Sequence, residues 1–329
     1  MVTNDILLKV ENLRKYFPAR TGFVSSILGR TEWVHAVDDV SFEIKRGEVL
    51  CLVGESGCGK TTTARVLIRL DEPTDGKVYF EGEDIFALDR KRLKNLRLKM
   101  QMIFQDPYTS TNPRMTIFDA VAEPLVVHKL ASGKELAEKV AQGLESVELT
   151  PPEAFMYRYP HELSGGQRQR VGIARVLILE PEFIVADEPV SMVDVSLRAG
   201  ILNLLLDLKD KFDLTYIFIT HNLAQAKYIG NMIAVMYLGK IVELGQAEAT
   251  LGEPLHPYTK ALVSNVPIPD PDIVRERIHL KGEIPTPIKP PSGCRLHPRC
   301  PYAIEKCRTE EPTLAEVEKG HFVACHLVE

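Results

Sequence analysis

A short apolar run, Val49–Val53, ends in Gly54-Glu55-Ser56-Gly57-Cys58-Gly59-Lys60-Thr61, and a helical pattern over residues 61–70 follows at once. A buried strand that turns through glycines into a helix leaves few architectures open. Such a strand must be covered on both faces. The glycines let successive backbone N–H groups converge on an anion, and the helix offers that anion its positive end. This is the pattern of a phosphate loop: Lys60 is placed to reach the β- and γ-phosphates and the Thr61 hydroxyl to ligate Mg2+, with Thr62 beside it. A chance glycine turn is a poor explanation, because the motif closes one predicted strand and opens one predicted helix.

A second acidic strand end completes the expectation. Phe183, Ile184, Val185 and Ala186 form an apolar run that stops at Asp187 and Glu188. A carboxylate at the end of a buried strand helps hold Mg2+, which is the role expected of Asp187. Glu188, one residue on, is placed to polarise an attacking water. Further strands are predicted at residues 7–10, 40–44, 215–220, 232–237 and 240–244. Helices are predicted at 134–147, 167–179, 197–211 and 224–229, within a more helical region spanning about 89–180. Strands alternating with helices predict an α/β fold with a mainly parallel sheet.

The 329 residues allow about two domains. Forty Lys and Arg stand against 45 Asp and Glu, a formal net charge of −5 without a basic stripe, which argues against a nucleic-acid partner. The longest apolar runs fall far short of the ~20 residues that span a bilayer, and the first ten residues lack the pattern of a signal peptide. The chain is therefore expected to be cytosolic and to reach a membrane only by docking. Between the first two strands, residues 21–33 include Phe23, Val24, Ile27 and Leu28. They read as a surface loop or as an apolar patch for a membrane-embedded partner.

Leu163-Ser164-Gly165-Gly166-Gln167 lies about a hundred residues after the phosphate loop, at the start of the helix predicted over 167–179. With the phosphate loop and the Asp187-Glu188 strand, this pentapeptide resembles the signature of ATP-binding subunits of ABC transporters. The resemblance implies a P-loop ABC ATPase core over residues 1–266, with an antiparallel β subdomain and a helical subdomain. It implies that Ser164, Gly165, Gly166 and Gln167 serve ATP held by an opposite subunit, so that hydrolysis is positioning and charge stabilisation across two chains. It further implies that Gln105 senses Mg2+ and connects to the membrane subunit. By the same resemblance Asp194 lies in a dimer-contact loop, His221 is the switch histidine at the γ-phosphate, and Tyr16 stacks on adenine. Two departures from the family pattern stand out: Met192-Val193 replaces Ala-Leu, and Asn222 replaces aspartate.

The stretch from Gln105 to Met115, the run Arg158-Tyr159-Pro160-His161-Glu162 and the run from Pro254 to Leu262 resemble the oligopeptide/dipeptide importer branch. That resemblance implies pairing with a second, non-identical ATP-binding subunit beneath two membrane permeases fed by an external binding protein, at the cytoplasmic face of the membrane. It leaves peptides, oligosaccharides and nickel chelates open as cargo. A soluble ABC protein working on ribosomes or DNA is the rival. One ATPase core, no heptad run and a negative charge speak against it.

From 267 to 291 the chain turns proline-rich and reads as a semi-rigid linker. Residues 292–329 then hold Cys294, Cys300, Cys307 and Cys325. Their separations of five, six and seventeen residues lack the tight pairs of zinc ribbons and suit a [4Fe–4S] cluster as well as zinc. The branch resemblance favours iron–sulfur. A small segment with few large apolar residues needs such a staple. Cys51 and Cys58 read as a core thiol and a loop filler.

Overall fold

The computed structural model describes residues 6–19, 32–106, 112–267 and 277–328. The apolar residues Phe23 to Leu28, part of the run after Gln105 and part of the linker lie outside them. The chain divides into two units, residues 1–87 with 218–329 and residues 88–217.

The first unit begins with β1 (Ile6–Pro18) and β2 (Trp33–Lys45), paired antiparallel. In β2, Val40, Phe42 and Ile44 are buried and alternate with Ser41, Glu43 and Lys45, as expected of a strand with one wet face. β3 (Val49–Val53) is buried at every residue and leads into α1 (Lys60–Leu67). Then β4 (Asp75–Phe80) and β5 (Glu83–Asp84) complete a four-stranded sheet of order β2-β1-β4-β5. β1 is far longer than residues 7–10. Asn12 takes a left-handed φ of 47° and the register shifts there, so a polar pair that reads like a turn is a bulge within one strand.

The second unit contains α2 (Arg90–Lys99), β6 (Met100–Ile103), α3 (Ile117–His128), α4 (Gly133–Ser146), α5 (Glu153–Met156), α6 (Gly165–Leu177), β7 (Phe183–Asp187) and α7 (Val195–Phe212). Helices α3, α4 and α6 pack on one another through Val121, Leu125, Val140, Leu144, Val171 and Ala174, all buried. Each such aliphatic side chain taken from water contributes roughly 1.5–3 kcal/mol, less for alanine. Strand β6 lies inside the stretch expected to be helical. It pairs in parallel with β7, Met100 opposite Phe183, and that pairing outweighs the weak strand propensity of Met-Gln-Met-Ile.

β8 (Thr215–Thr220), wholly buried, carries the chain back to the first unit. There follow α8 (Leu223–Ile229), β9 (Met232–Tyr237), β10 (Lys240–Gln246), α9 (Ala247–Gly252), α10 (Pro257–Ser264), α11 (Lys306–Thr309), β11 (Ala315–Glu318) and β12 (His321–Val323). β3 and β9 run parallel, whereas β9–β10, β10–β12 and β11–β12 are antiparallel. The sheets are thus mixed: β2-β1-β4-β5 is antiparallel, as an antiparallel subdomain requires, and the β9–β10 hairpin and, at one edge, the tail strands β11 and β12 add further antiparallel pairs. Glu243, at 0% exposure on β10, fixes that edge. Its carboxylate accepts the N–H groups of Leu255 and His256 and lies 2.8 Å from Nε2 of His321. A buried carboxylate with this many partners offsets its desolvation, and removing one partner is costly.

Candidate nucleotide site

The phosphate loop, Tyr16 and His221 lie in the first unit; Gln105, Asp187, Glu188, the signature and Asp194 lie in the second.

In the loop, Gly54 has φ 150° and Gly59 φ 111°. A Cβ at either would collide with a backbone carbonyl, that of Met236 at Gly54 and that of Ala36 at Gly59. Both positions therefore require glycine for conformation and for space. Gly59 starts α1 without any side-chain cap. Lys60 is buried, and its ammonium donates to the carbonyls of Gly54 at 2.8 Å and Glu55 at 3.0 Å. The Thr63 hydroxyl donates to the Gly59 carbonyl at 3.0 Å and secures the first turn. Ser56, Gly57 and Thr61 face solvent, Thr62 is half-buried, and Cys58 is buried with its thiol pKa raised by desolvation. Cys51 is a fully buried core thiol, also raised by burial.

Two partners of Glu55 come from later in the chain. Its backbone N–H donates to the Tyr258 hydroxyl at 2.9 Å. Its carboxylate accepts both Nη1 and Nη2 of Arg299, at 2.8 and 3.3 Å, a bidentate pair. Burial disfavours the charged guanidinium, but the bonds to Glu55 override it and raise the Arg299 pKa. Sequence reasoning missed both residues. Tyr258 lies in the Pro254–Leu262 run, which marks the importer branch but no role at the phosphate loop, and an arginine between two cysteines reads as a solvated charge.

Tyr16 stands in β1 with its ring against His35, centroids 4.2 Å apart, and its hydroxyl donates to Asp38. Desolvation and that acceptor push its pKa up to about 12. Burial opposes ionisation of Asp38, but the Tyr16 hydroxyl and Arg295 outweigh it and hold the carboxyl below its ordinary range. Arg295 also donates to the Leu238 carbonyl. His221 follows β8 on an exposed turn. Asn222 caps α8 by accepting the N–H groups of Ala224 and Gln225. Asparagine and aspartate cap about equally well, so this departure preserves the local structure.

In the second unit Asp187 is buried at the end of β7. Glu188 adopts a left-handed φ of 44°, which re-aims its side chain away from the strand, and Gln105 donates to its carboxylate at 3.2 Å. The structure thus brings Gln105 to Glu188. Signature residues Ser164 and Gln167 form a reciprocal cap: Ser164 Oγ accepts the Gln167 N–H and Gln167 Oε1 accepts the Ser164 N–H. The helix accordingly starts at Gly165, two residues before the predicted start. Val193 is buried and Met192 exposed, so the Met192-Val193 departure keeps one core residue and one surface residue ahead of Asp194, itself exposed.

The tail thiols share one electrostatic neighbourhood. Cys294 is influenced by Cys307, Cys325 and Cys300, and burial pushes it up to about 11. The sulfurs of Cys294, Cys300 and Cys325 accept N–H groups from Leu296, Tyr302 and Leu327, each two residues on. Among the described residues, no group of three or more His, Cys, Asp or Glu side chains is arranged to hold a metal ion. No helix among them is long and apolar enough to cross a membrane.

A family profile described as ABC transporter matches residues 37–191, and one described as oligopeptide/dipeptide transporter, C-terminal region, matches 242–307. A probable peptide ABC transporter ATP-binding protein of Sinorhizobium fredii is 49% identical over 324 residues, 98% of this chain and 90% of that protein. The oligopeptide transport ATP-binding protein AppF of Bacillus subtilis is 48% identical over 326 residues, 98% of each chain. Among solved structures, a dimeric post-hydrolysis ATP-binding cassette bound to ADP and Pi has a TM-score of 0.63 and 30% identity, over 73% of this chain and 98% of that one.

Proposed function

Since this chain belongs to the ATP-binding subunits of peptide ABC transporters, we propose that Lys60, Thr61 and Asp187 hold Mg-ATP while Glu188 polarises the attacking water. The chain is an ATPase whose hydrolysis is coupled to peptide import through membrane permease partners. The hydrogen bond from Gln105 to Glu188 carries the assignment of roles, because it supports a carboxylate aimed off the strand end beside a buried Asp187. The remaining loop residues Gly54 to Gly59 and Thr62 supply backbone and side-chain contacts to the phosphates. Tyr16 faces the base and His221 the γ-phosphate. Ser164 to Gln167 and Asp194 face ATP bound by a second ATP-binding subunit, a paralogue of this chain, at the cytoplasmic face of the membrane. An external binding protein delivers the cargo to the permeases.

Glu188→Gln in the assembled transporter lowers steady-state hydrolysis at least ~100-fold and leaves Mg-ATP binding intact. Unchanged turnover would refute the role given to Glu188.

Residues 292–329 act as a module in which Cys294, Cys300, Cys307 and Cys325 hold a [4Fe–4S] cluster. The shared neighbourhood of the thiols and the three N–H···S contacts support this, since such donors favour thiolates. The cluster's role there is structural. Anaerobically purified protein is expected to contain iron and sulfide. Stoichiometric zinc without iron would reverse the assignment.

A further inference from the structure

Two arginines in the turn that joins Cys294 to Cys300 each reach one part of the candidate nucleotide site through one carboxylate. Arg299 grips Glu55, whose carbonyl accepts the Lys60 ammonium. Arg295 grips Asp38, which accepts the Tyr16 hydroxyl. Both arginines are only 8% exposed, so neither bond is a casual surface pairing. The turn is itself tied down: the Cys300 and Arg299 N–H groups donate to the Leu296 carbonyl, and the Cys294 N–H donates to the Cys307 carbonyl.

We infer that this tail turn positions the nucleotide site, with Arg299 the positioning residue for the phosphate loop and Arg295 that for Tyr16. The inference rests on the reading of the phosphate loop and Tyr16 as ATP contacts. Its physical basis is charge as well as shape. Glu55 stands second in a loop built to receive a polyanion. Unpaired, its carboxylate repels the phosphates; paired with Arg299, it is neutralised and oriented, and the Glu55 carbonyl stays turned toward Lys60. A tail that only stabilised the fold would give no specific coupling to Glu55.

The test is calorimetric titration of the full chain with Mg-ATP and, separately, with magnesium tripolyphosphate, which has no base. Arg299→Ala is expected to weaken both ligands about tenfold, a coupling of the size usual for contacting charges. Glu55→Gln supplies the second arm of the cycle, removing the carboxylate that Arg299 neutralises, and relative to Glu55→Gln the further change Arg299→Ala costs little, so the double variant recovers most of the loss. Arg299→Lys keeps the charge but not the fork, and gives an intermediate loss. Should Arg299→Ala not fold, the cycle with Arg299→Lys reads the same coupling. Arg295→Ala weakens Mg-ATP and leaves tripolyphosphate unchanged. In the assembled transporter, Arg299→Ala raises the KM for ATP with kcat preserved.

The inference is overturned if Arg299→Ala binds like the parent, or if its loss persists undiminished with Glu55→Gln. It is equally overturned if Arg295→Ala weakens both ligands alike. Lys60→Ala separates this from failure of the underlying reading. If Lys60→Ala binds Mg-ATP normally, the phosphate-loop assignment fails; if it abolishes binding while the Arg299 cycle shows no coupling, only the positioning role fails.

Discussion

Two helices here begin at an anion-binding motif, and they are built in opposite ways. The signature helix caps itself: Ser164 and Gln167 satisfy each other across one turn, within five residues. The phosphate-loop helix has no side-chain cap. Its start is held from outside, by the Met236 and Ala36 carbonyls that crowd Gly54 and Gly59, by Tyr258, and by Arg299 more than 200 residues away. A motif proposed to offer its helix end to another subunit must hold its shape without the ligand's help. A loop that wraps its own ligand can be shaped by the fold around it, and is then open to influence from any segment that touches it.

The largest expected effect breaks the externally held start. Gly59→Ala combines a left-handed φ with a backbone collision, costs more than about 2 kcal/mol of stability and removes measurable Mg-ATP binding. Thermal unfolding and titration of the full chain check both parts, while the signature helix, in the other unit, keeps its structure.

Acid tests the same asymmetry. Full burial lowers the His256 pKa to about 3, so the native state keeps the ring neutral while the unfolded chain protonates below about 6.5. The unfolded state then binds more protons. The stability from this group is therefore complete above pH 6.5 and is lost as pH falls toward 3, at about 1.4 kcal/mol per pH unit. His256 Nδ1 accepts the Tyr258 N–H, and Tyr258 holds Glu55, so the loss falls on the support of the phosphate loop. Denaturant titrations from pH 7 to 4 are expected to show this slope, and His256→Asn, which keeps a cap acceptor, to flatten it.

Ser164→Ala probes the self-capped start. It costs about 1 kcal/mol of stability and leaves this chain's own Mg-ATP affinity unchanged, while hydrolysis in the assembled transporter falls. A changed affinity for the chain's own ATP would contradict the assignment of the signature to the opposite subunit. The smallest effect is that of Asn222→Asp, which restores the family residue. Equal capping keeps the unfolding free energy within a few tenths of a kcal/mol of the parent, measured by thermal unfolding.

What the sequence determined by itself was whatever is encoded in contiguous residues. The apolar runs Val49–Val53 and Phe183–Ala186 could only be buried strands, the glycine loop could only turn into a helix, and Ser164-Gly165-Gly166-Gln167 carries its own cap. Tertiary structure decided the rest. Met100–Ile103 is a strand because β7 lies beside it, Asn12 is a bulge because β1 continues to pair on both sides, and β12 joined the sheet beside β10 because its His321 meets the buried Glu243. The same holds for Arg299. An ion pair across 244 positions leaves no periodicity and no local motif, since its energy arises only when folding brings the two charges together and excludes water from them.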